Sequence, residues 1–164
     1  MKVAGSYHFP APPEQVWRLL HDPEALAAAI PGCQKLEPLA DGRYAATLSI
    51  GVAAFKGAYK GTVAIANERP PQSYDLRVEG SGRPGFVNGV GHIRLEPDAA
   101  ATPGTQVTVD GDAQVGGPVL SVGSRLVVPT ARRLMNQFFE AMQRRLEGEP
   151  APQVGLDLGR GRQD

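Results

Sequence analysis

The sequence predicts an α+β fold in which one curved antiparallel sheet of seven strands grips a single long C-terminal helix. Three observations carry this expectation. Six strand-like segments run consecutively between residues 36 and 115 with turn residues and no helical period between them, which calls for antiparallel neighbours. Two short helical patterns stand ahead of them, after a first strand. One long apolar run of helical period, Pro118 to Leu146, closes the chain and supplies a cover for one face of the sheet.

In chain order, Val3, Gly5, Tyr7 and Phe9 share one parity and form a first strand that Pro10 stops. Pro12-Pro13 opens a helix, since proline suits the first turn, where its missing N–H is not needed. Val16, Trp17, Leu19 and Leu20 give that helix an apolar face. Asp22-Pro23-Glu24 ends it and caps a second helix through Ile30, which Pro31-Gly32 closes. Strands are then expected at Leu36 to Leu39, Tyr44 to Val52, Phe55 to Ala66, Tyr74 to Gly82, Phe86 to Glu96 and Thr105 to Val115. In the last run Leu120, Gly123, Val127, Ala131, Leu134, Phe138 and Met142 recur at three- or four-residue spacing, a helical stripe backed by polar residues such as Arg125, Arg132, Arg133 and Glu140. Pro129 cannot bond back toward Arg125, so a kink is expected near Val128.

The 164 residues suit one domain, 1–147, followed by a Gly- and Pro-rich tail, 148–164, that has no periodicity and is expected to be disordered. Lys plus Arg number 17 and Asp plus Glu number 17, so no overall field recruits nucleic acid. Cys33 stands alone, which excludes an internal disulfide and fits a reducing compartment. With no apolar signal core and no run of about 18 apolar residues, a cytoplasmic protein is expected.

Strand parity identifies the side chains that meet the helix, because residues two apart share a face. Tyr44, Ala46, Leu48, Ile50 and Val52 form one inward set, Phe55, Tyr59, Val63 and Ile65 another, with Tyr74, Leu76, Val78, Ile93, Leu95, Val107 and Val109 continuing it. On the same parities the side chains then disappear, at Gly80 and Gly82, Gly89 and Gly91, Gly111 and Ala113. Hairpins at Arg83-Pro84 and around Pro97 to Gly104 are expected to set these six side by side. Strand glycine forfeits packing and costs backbone entropy, so a cluster of it marks a bend, a close approach of backbone, or room for a ligand. Either the helix sits tightly on these glycines or they floor a cavity. The cavity reading places Ile30, Ile50, Val52, Phe55, Val78, Phe86, Leu120, Gly123, Val127 and Leu134 around the glycines, with Tyr59 and Tyr74 offering hydroxyls to a polar head group.

Catalytic and metal signals are poor. Gly80-Ser81-Gly82-Arg83-Pro84-Gly85 has the spelling of a phosphate loop but joins two strands and opens no helix. His8, His21 and His92 have no carboxylate or cysteine at ligand or triad spacing and read as solvated surface residues. No catalytic residue, metal ligand or cofactor is expected.

Ala11-Pro12-Pro13-Glu14-Gln15-Val16-Trp17, Asp22-Pro23-Glu24 and Ile30-Pro31-Gly32-Cys33 resemble the opening of the carbon monoxide dehydrogenase CoxG family, within the START-like (SRPBCC, Bet v 1-like) helix-grip superfamily. Phe55-Lys56-Gly57 with Tyr59-Lys60-Gly61, Glu79-Gly80-Ser81-Gly82, Asp112 to Gly117, Gly123 to Leu126 and Gln137-Phe138-Phe139 follow in the same order, so the likeness spans about residues 1 to 147. The resemblance implies a helix-grip protein with a hydrophobic cavity and no redox cofactor of its own. Its implied partners are a molybdenum hydroxylase of the carbon monoxide dehydrogenase type and an isoprenoid quinone or lipid, with peripheral contact at the inner face of the membrane. The expected function is a non-enzymatic quinone or lipid carrier serving that dehydrogenase by linking it to the membrane quinone pool. A docking or assembly module that binds nothing small, and a cyclase- or hydrolase-like enzyme using the same cavity, are the alternatives.

Overall fold

Seven strands form one antiparallel sheet in the order β1-β7-β6-β5-β4-β3-β2, as seen in a computed structural model that describes residues 1–51, 55–100, 103–122 and 124–148. The strands are β1 Lys2–Phe9, β2 Cys33–Pro38, β3 Arg43–Ile50, β4 Gly57–Arg69, β5 Ser73–Gly82, β6 Gly85–Pro97 and β7 Thr105–Gly116. The helices are α1 Pro13–Leu20, α2 Pro23–Ala29 and α3 Ser124–Gly148. Proline opens both short helices, and the Asp22 side chain accepts from the Glu24 N–H to cap α2. The expected α+β helix-grip architecture is therefore the observed one. Val52, Gly123 and the tail beyond Gly148 lie outside the described residues.

The last helix begins later than its apolar period suggests. Pro118–Val122 forms a separate 3₁₀ turn, and α3 starts at Ser124. A 3₁₀ turn advances three residues per turn rather than 3.6, so side chains before Ser124 are out of phase with the helical stripe. Leu120 is consequently 43% exposed while Val119 is buried. α3 runs on through Pro129, and the Thr130 hydroxyl donates to the Leu126 carbonyl at 2.6 Å.

Two apolar clusters hold the sheet to the helices. The larger joins Phe9, Ile93, Leu95, Val107 and Tyr74 to Val16, Leu20 and Leu26 of the short helices and to Phe139, Met142 and Leu146 of α3. Here α3 also lies along β1. Tyr7 stacks on Phe139 with ring centroids 4.3 Å apart, the Tyr7 hydroxyl donates to Asn136 Oδ1 at 2.6 Å, and Gln143 Nε2 donates to the His8 carbonyl at 2.8 Å. The smaller cluster, at the opposite end of the sheet, comprises Ile50, Phe55, Tyr59, Val119 and Val127, with Leu48, Val87, Val115, Ala131 and Leu134 packed against it.

Candidate functional site

Between the two clusters, β6 and β7 turn only Gly89, Gly91, Gly111 and Ala113 to the concave face. Gly89 lies opposite Ala113 and Gly91 opposite Gly111 on the paired strands β6 and β7. A methyl group added at Gly91 would meet no atom within 4 Å, and one at Gly89 would only touch Ala113 Cβ at 3.4 Å. At Gly111 the nearest atom would be the Val3 carbonyl oxygen at 3.2 Å, in the neighbouring strand rather than in α3. Val78, opposite Gly89 on β5 and turned to the same face, is 36% exposed. Val63, Val87 and Val115 on that face are only half-buried. Solvent therefore reaches side chains that parity turns inward, and the concave side contains a space that neither cluster fills. Val127, Ala131 and Leu134 bring α3 to its far end.

The six inward small residues do not form one patch. A two-residue turn at Arg83-Pro84 sets Gly82 opposite Gly85 and Gly80 opposite Val87, so the β5 glycines stand two to four residues out of step with those of β6. Gly80 and Gly82 instead pair with Gly61 and Tyr59 of β4. There the glycines admit close approach of the neighbouring strand: a methyl at Gly61 would run into the Glu79 carbonyl and one at Gly82 into the Ala58 carbonyl. Close approach of the helix is a third use, found at Gly5, where a methyl would lie 2.9 Å from Met135 Cε and 2.7 Å from the Tyr7 hydroxyl. Strand contact, helix contact and open floor thus fall on different glycines.

Of the residues expected around the cavity, Ile50, Phe55, Tyr59, Val127 and Leu134 gather in the far-end cluster. Ile30 packs at the edge of the main core, next to Gly32, whose φ of +72 places it in the left-handed region beneath Ser49 and Ile50. Three placements need correction. Tyr74 belongs to the main core, edge-on to Trp17 at 5.2 Å and to His21 at 4.5 Å, and burial pushes its hydroxyl pKa far up. Phe86 stands on the convex parity, with its ring over Gly116. Leu120 points out of the 3₁₀ turn into solvent. The residues that parity reading passed over are Val87 and Val115, on the strands that carry the glycines, and Val119, hidden by the change of helical phase.

Tyr59 is the polar member of the far cluster. Its side chain is 7% exposed, its hydroxyl has no hydrogen-bond partner among the described residues, and desolvation raises its pKa. A buried hydroxyl without a partner is costly, and in folded proteins it is usually satisfied by something. The three histidines have other roles. His8 meets Asp98 at 2.9 Å and His92 meets Asp75 at 2.7 Å on the sheet's outer side. His21 is 17% exposed, stacked on Trp17 at 4.3 Å and 3.4 Å from Glu68, a packed residue rather than a solvated one, because the end of α1 docks on Tyr74. Burial raises the Cys33 pKa, which keeps it a thiol.

The rim around the far cluster differs from the floor. The Val119 N–H donates to the Pro84 carbonyl at 2.5 Å, and a methyl at Gly57 would run into the Pro84 ring, so the β3–β4, β5–β6 and β7–α3 connections converge. In or next to these connections Leu120, Phe86 and Leu126 are exposed, at 43%, 42% and 49%, as are Lys56, Arg83 and Arg125. Residues 51–57, 82–87 and 116–126 contain no Asp or Glu. No helix among the described residues is long and apolar enough to cross a membrane.

Residues 5–147 match the family model of CoxG, a carbon monoxide dehydrogenase component. Among solved structures the chain is similar to a conserved protein from Geobacillus kaustophilus, with 37% identity and a TM-score of 0.86 over 91% of this chain and 97% of that one. It is also similar to a START superfamily protein from Mycobacterium smegmatis, at 17% identity and a TM-score of 0.72 over 89% of this chain and 97% of that one. A third likeness is to the ZhuI aromatase/cyclase from Streptomyces sp. R1128, at 17% identity and a TM-score of 0.68 over 92% and 95%. The last two establish a shared START-like fold. No curated protein matches.

Proposed function

Because the chain belongs to the carbon monoxide dehydrogenase CoxG family, we propose that it is a non-enzymatic carrier of an isoprenoid quinone or similar lipid, held between sheet and α3 and exchanged with a molybdenum hydroxylase of the carbon monoxide dehydrogenase type. The observation that carries this reading is the floor of Gly89, Gly91, Gly111 and Ala113, open above Gly91 and bounded at both ends by packed apolar clusters. An isoprenoid tail gains about 0.8 kcal/mol for each CH₂ removed from water, so a space of this kind retains it and water does not. The basic and apolar rim supports an exchange route at an anionic membrane surface, where Leu120, Leu126 and Phe86 meet acyl chains while Lys56, Arg83 and Arg125 meet headgroups.

A carrier is favoured over a catalyst by the chemistry of the lining. Every Asp, Glu, Lys and Arg of β5, β6 and β7 stands on the convex parity, which leaves no acid–base pair from these strands facing the space. Organic extraction of gently purified protein, followed by mass spectrometry and titration with decylubiquinone, tests the proposal. Near-stoichiometric quinone or lipid with saturable uptake is expected. An empty extract without uptake would favour a docking module that binds nothing small.

A further inference from the structure

Among the described residues, Tyr59 is the one side chain of the far cluster with hydrogen-bonding capacity, and the protein does not use it. Its ring is buried among Ile50, Phe55, Val119 and Val127, and its hydroxyl has no partner among the described residues. It shares the concave parity with Leu48 and Gly82 on the flanking strands, so it rises from the same face as the glycine floor. Tyr7 is bonded to Asn136, Gln143 to the His8 carbonyl and Thr130 to the Leu126 carbonyl.

We infer that the Tyr59 hydroxyl donates a hydrogen bond to a neutral carbonyl oxygen on the head of the bound lipid, which lies with its head at the far cluster and its tail over the glycine floor. The inference rests on the carrier reading and narrows its ligand class. A carboxylate or phosphate head would need a cation beside it; β5, β6 and β7 turn none inward, and Lys56, Arg83 and Arg125 on the rim are exposed to solvent rather than buried with Tyr59. A hydrocarbon without a head would leave the hydroxyl unsatisfied. A quinone or another uncharged carbonyl lipid meets both conditions. Desolvation makes the phenol harder to ionise, so it remains a donor throughout the neutral range.

The test compares the full chain with its Tyr59→Phe variant, each stripped of lipid, against three ligands: decylubiquinone, dodecylbenzene and myristate. Wild-type protein should bind decylubiquinone more tightly than myristate. Tyr59→Phe should weaken decylubiquinone binding about tenfold, the size of one lost hydrogen bond, and leave dodecylbenzene binding unchanged. Because the hydroxyl has no partner within the described residues, the ligand-free variant should melt no earlier than wild type. Equal quinone affinity in both proteins would overturn the assignment and leave the carrier reading standing. So would a parallel loss for dodecylbenzene, an earlier melt of the ligand-free variant, or tighter wild-type binding of myristate than of the quinone. If wild-type protein binds none of the three, the carrier reading fails and the Tyr59 assignment with it.

Discussion

Replacing Gly91 by leucine and Gly61 by alanine should reverse the usual rule that the larger insertion does the greater damage. At Gly91 the first added carbon meets nothing within 4 Å, so the isobutyl group enters space instead of displacing a neighbour. Four carbons at about 0.8 kcal/mol each set an upper limit near 3 kcal/mol of stabilisation, reached only if all four leave water. Loss of the strand glycine adds roughly 0.4–1 kcal/mol through the unfolded chain. Partial burial brings the expected net effect to between about 0 and 2 kcal/mol in favour of the folded state. At Gly61 a single methyl collides with the Glu79 carbonyl and comes within 2.8 Å of its carbonyl carbon, and the backbone must move. Overpacking of that kind costs typically about 1–3 kcal/mol, occasionally more. At about 2–4 °C per kcal/mol for a chain of this size, Gly61→Ala should melt several degrees early and Gly91→Leu should hold or gain. Gly5→Ala falls between, since Met135 can shift its terminal methyl while Tyr7 is tied to Asn136. Calorimetry on lipid-stripped proteins, with decylubiquinone titrations alongside, reads both quantities; stripping matters because bound ligand raises the melting temperature. Gly91→Leu should also lose ligand capacity. A drop in melting temperature for Gly91→Leu as large as that for Gly61→Ala would mean that something rests on the floor, and the open-space argument would fail.

Two further outcomes follow from electrostatics. Hydrogen bonds from His92 first, and then Asn67, hold the Asp75 carboxyl below its ordinary value, so the folded state binds a proton less readily than the unfolded chain. That contribution is complete above about pH 4 and is lost as pH falls through the lowered folded value, so melting curves of wild type and Asp75→Asn should converge in acid; a gap constant from neutral pH to strong acid would contradict this. Binding to anionic phosphatidylglycerol vesicles should weaken as salt rises and weaken again in a Lys56→Gln, Arg83→Gln, Arg125→Gln variant; salt-independent binding would place the contact on Leu120, Leu126 and Phe86 alone.

Most of the framework was legible because its signals are local. Proline at the starts of α1 and α2, alternation along β3 to β7 and the Arg83-Pro84 turn each act within a few residues. The register of β5 on β6 was legible too, though parity alone overlooked it. Once Gly82 faces Gly85 across a two-residue turn, counting back puts Gly80 against Val87, so the β5 glycines cannot stand beside Gly89 and Gly91. What could not be read was phase and docking. Extending the 3.6-residue period back through Pro118 turned Leu120 inward, whereas the 3₁₀ turn exposes it and buries Val119. His21 looked solvated because it ends the first helix just before Asp22-Pro23; the aromatic wall it packs against, Tyr74, is far away in the chain and arrives only with the tertiary fold.

The attachment of α3 is uneven, and this separates two timescales. Its C-terminal half is fixed by Phe139, Met142 and Leu146 in the main core and by the hydrogen bonds that join Asn136 to Tyr7 and Gln143 to His8 on β1. Among the described residues its N-terminal half is held only by Val127, Ala131 and Leu134 in the smaller cluster, carries exposed Arg125, Leu126 and Pro129, and lacks the backbone bond that Pro129 cannot make. Local openings draw on the weakly held parts of a structure, and their free energies run well below that of global unfolding. The first turns of α3 can therefore lift and reseat while the sheet, the short helices and the rest of α3 remain folded. For the carrier proposed above, ligand residence would then be a property of that short segment, whereas the lifetime of the folded protein is set by the main core. A substitution in one can lengthen or shorten its own clock and leave the other unchanged.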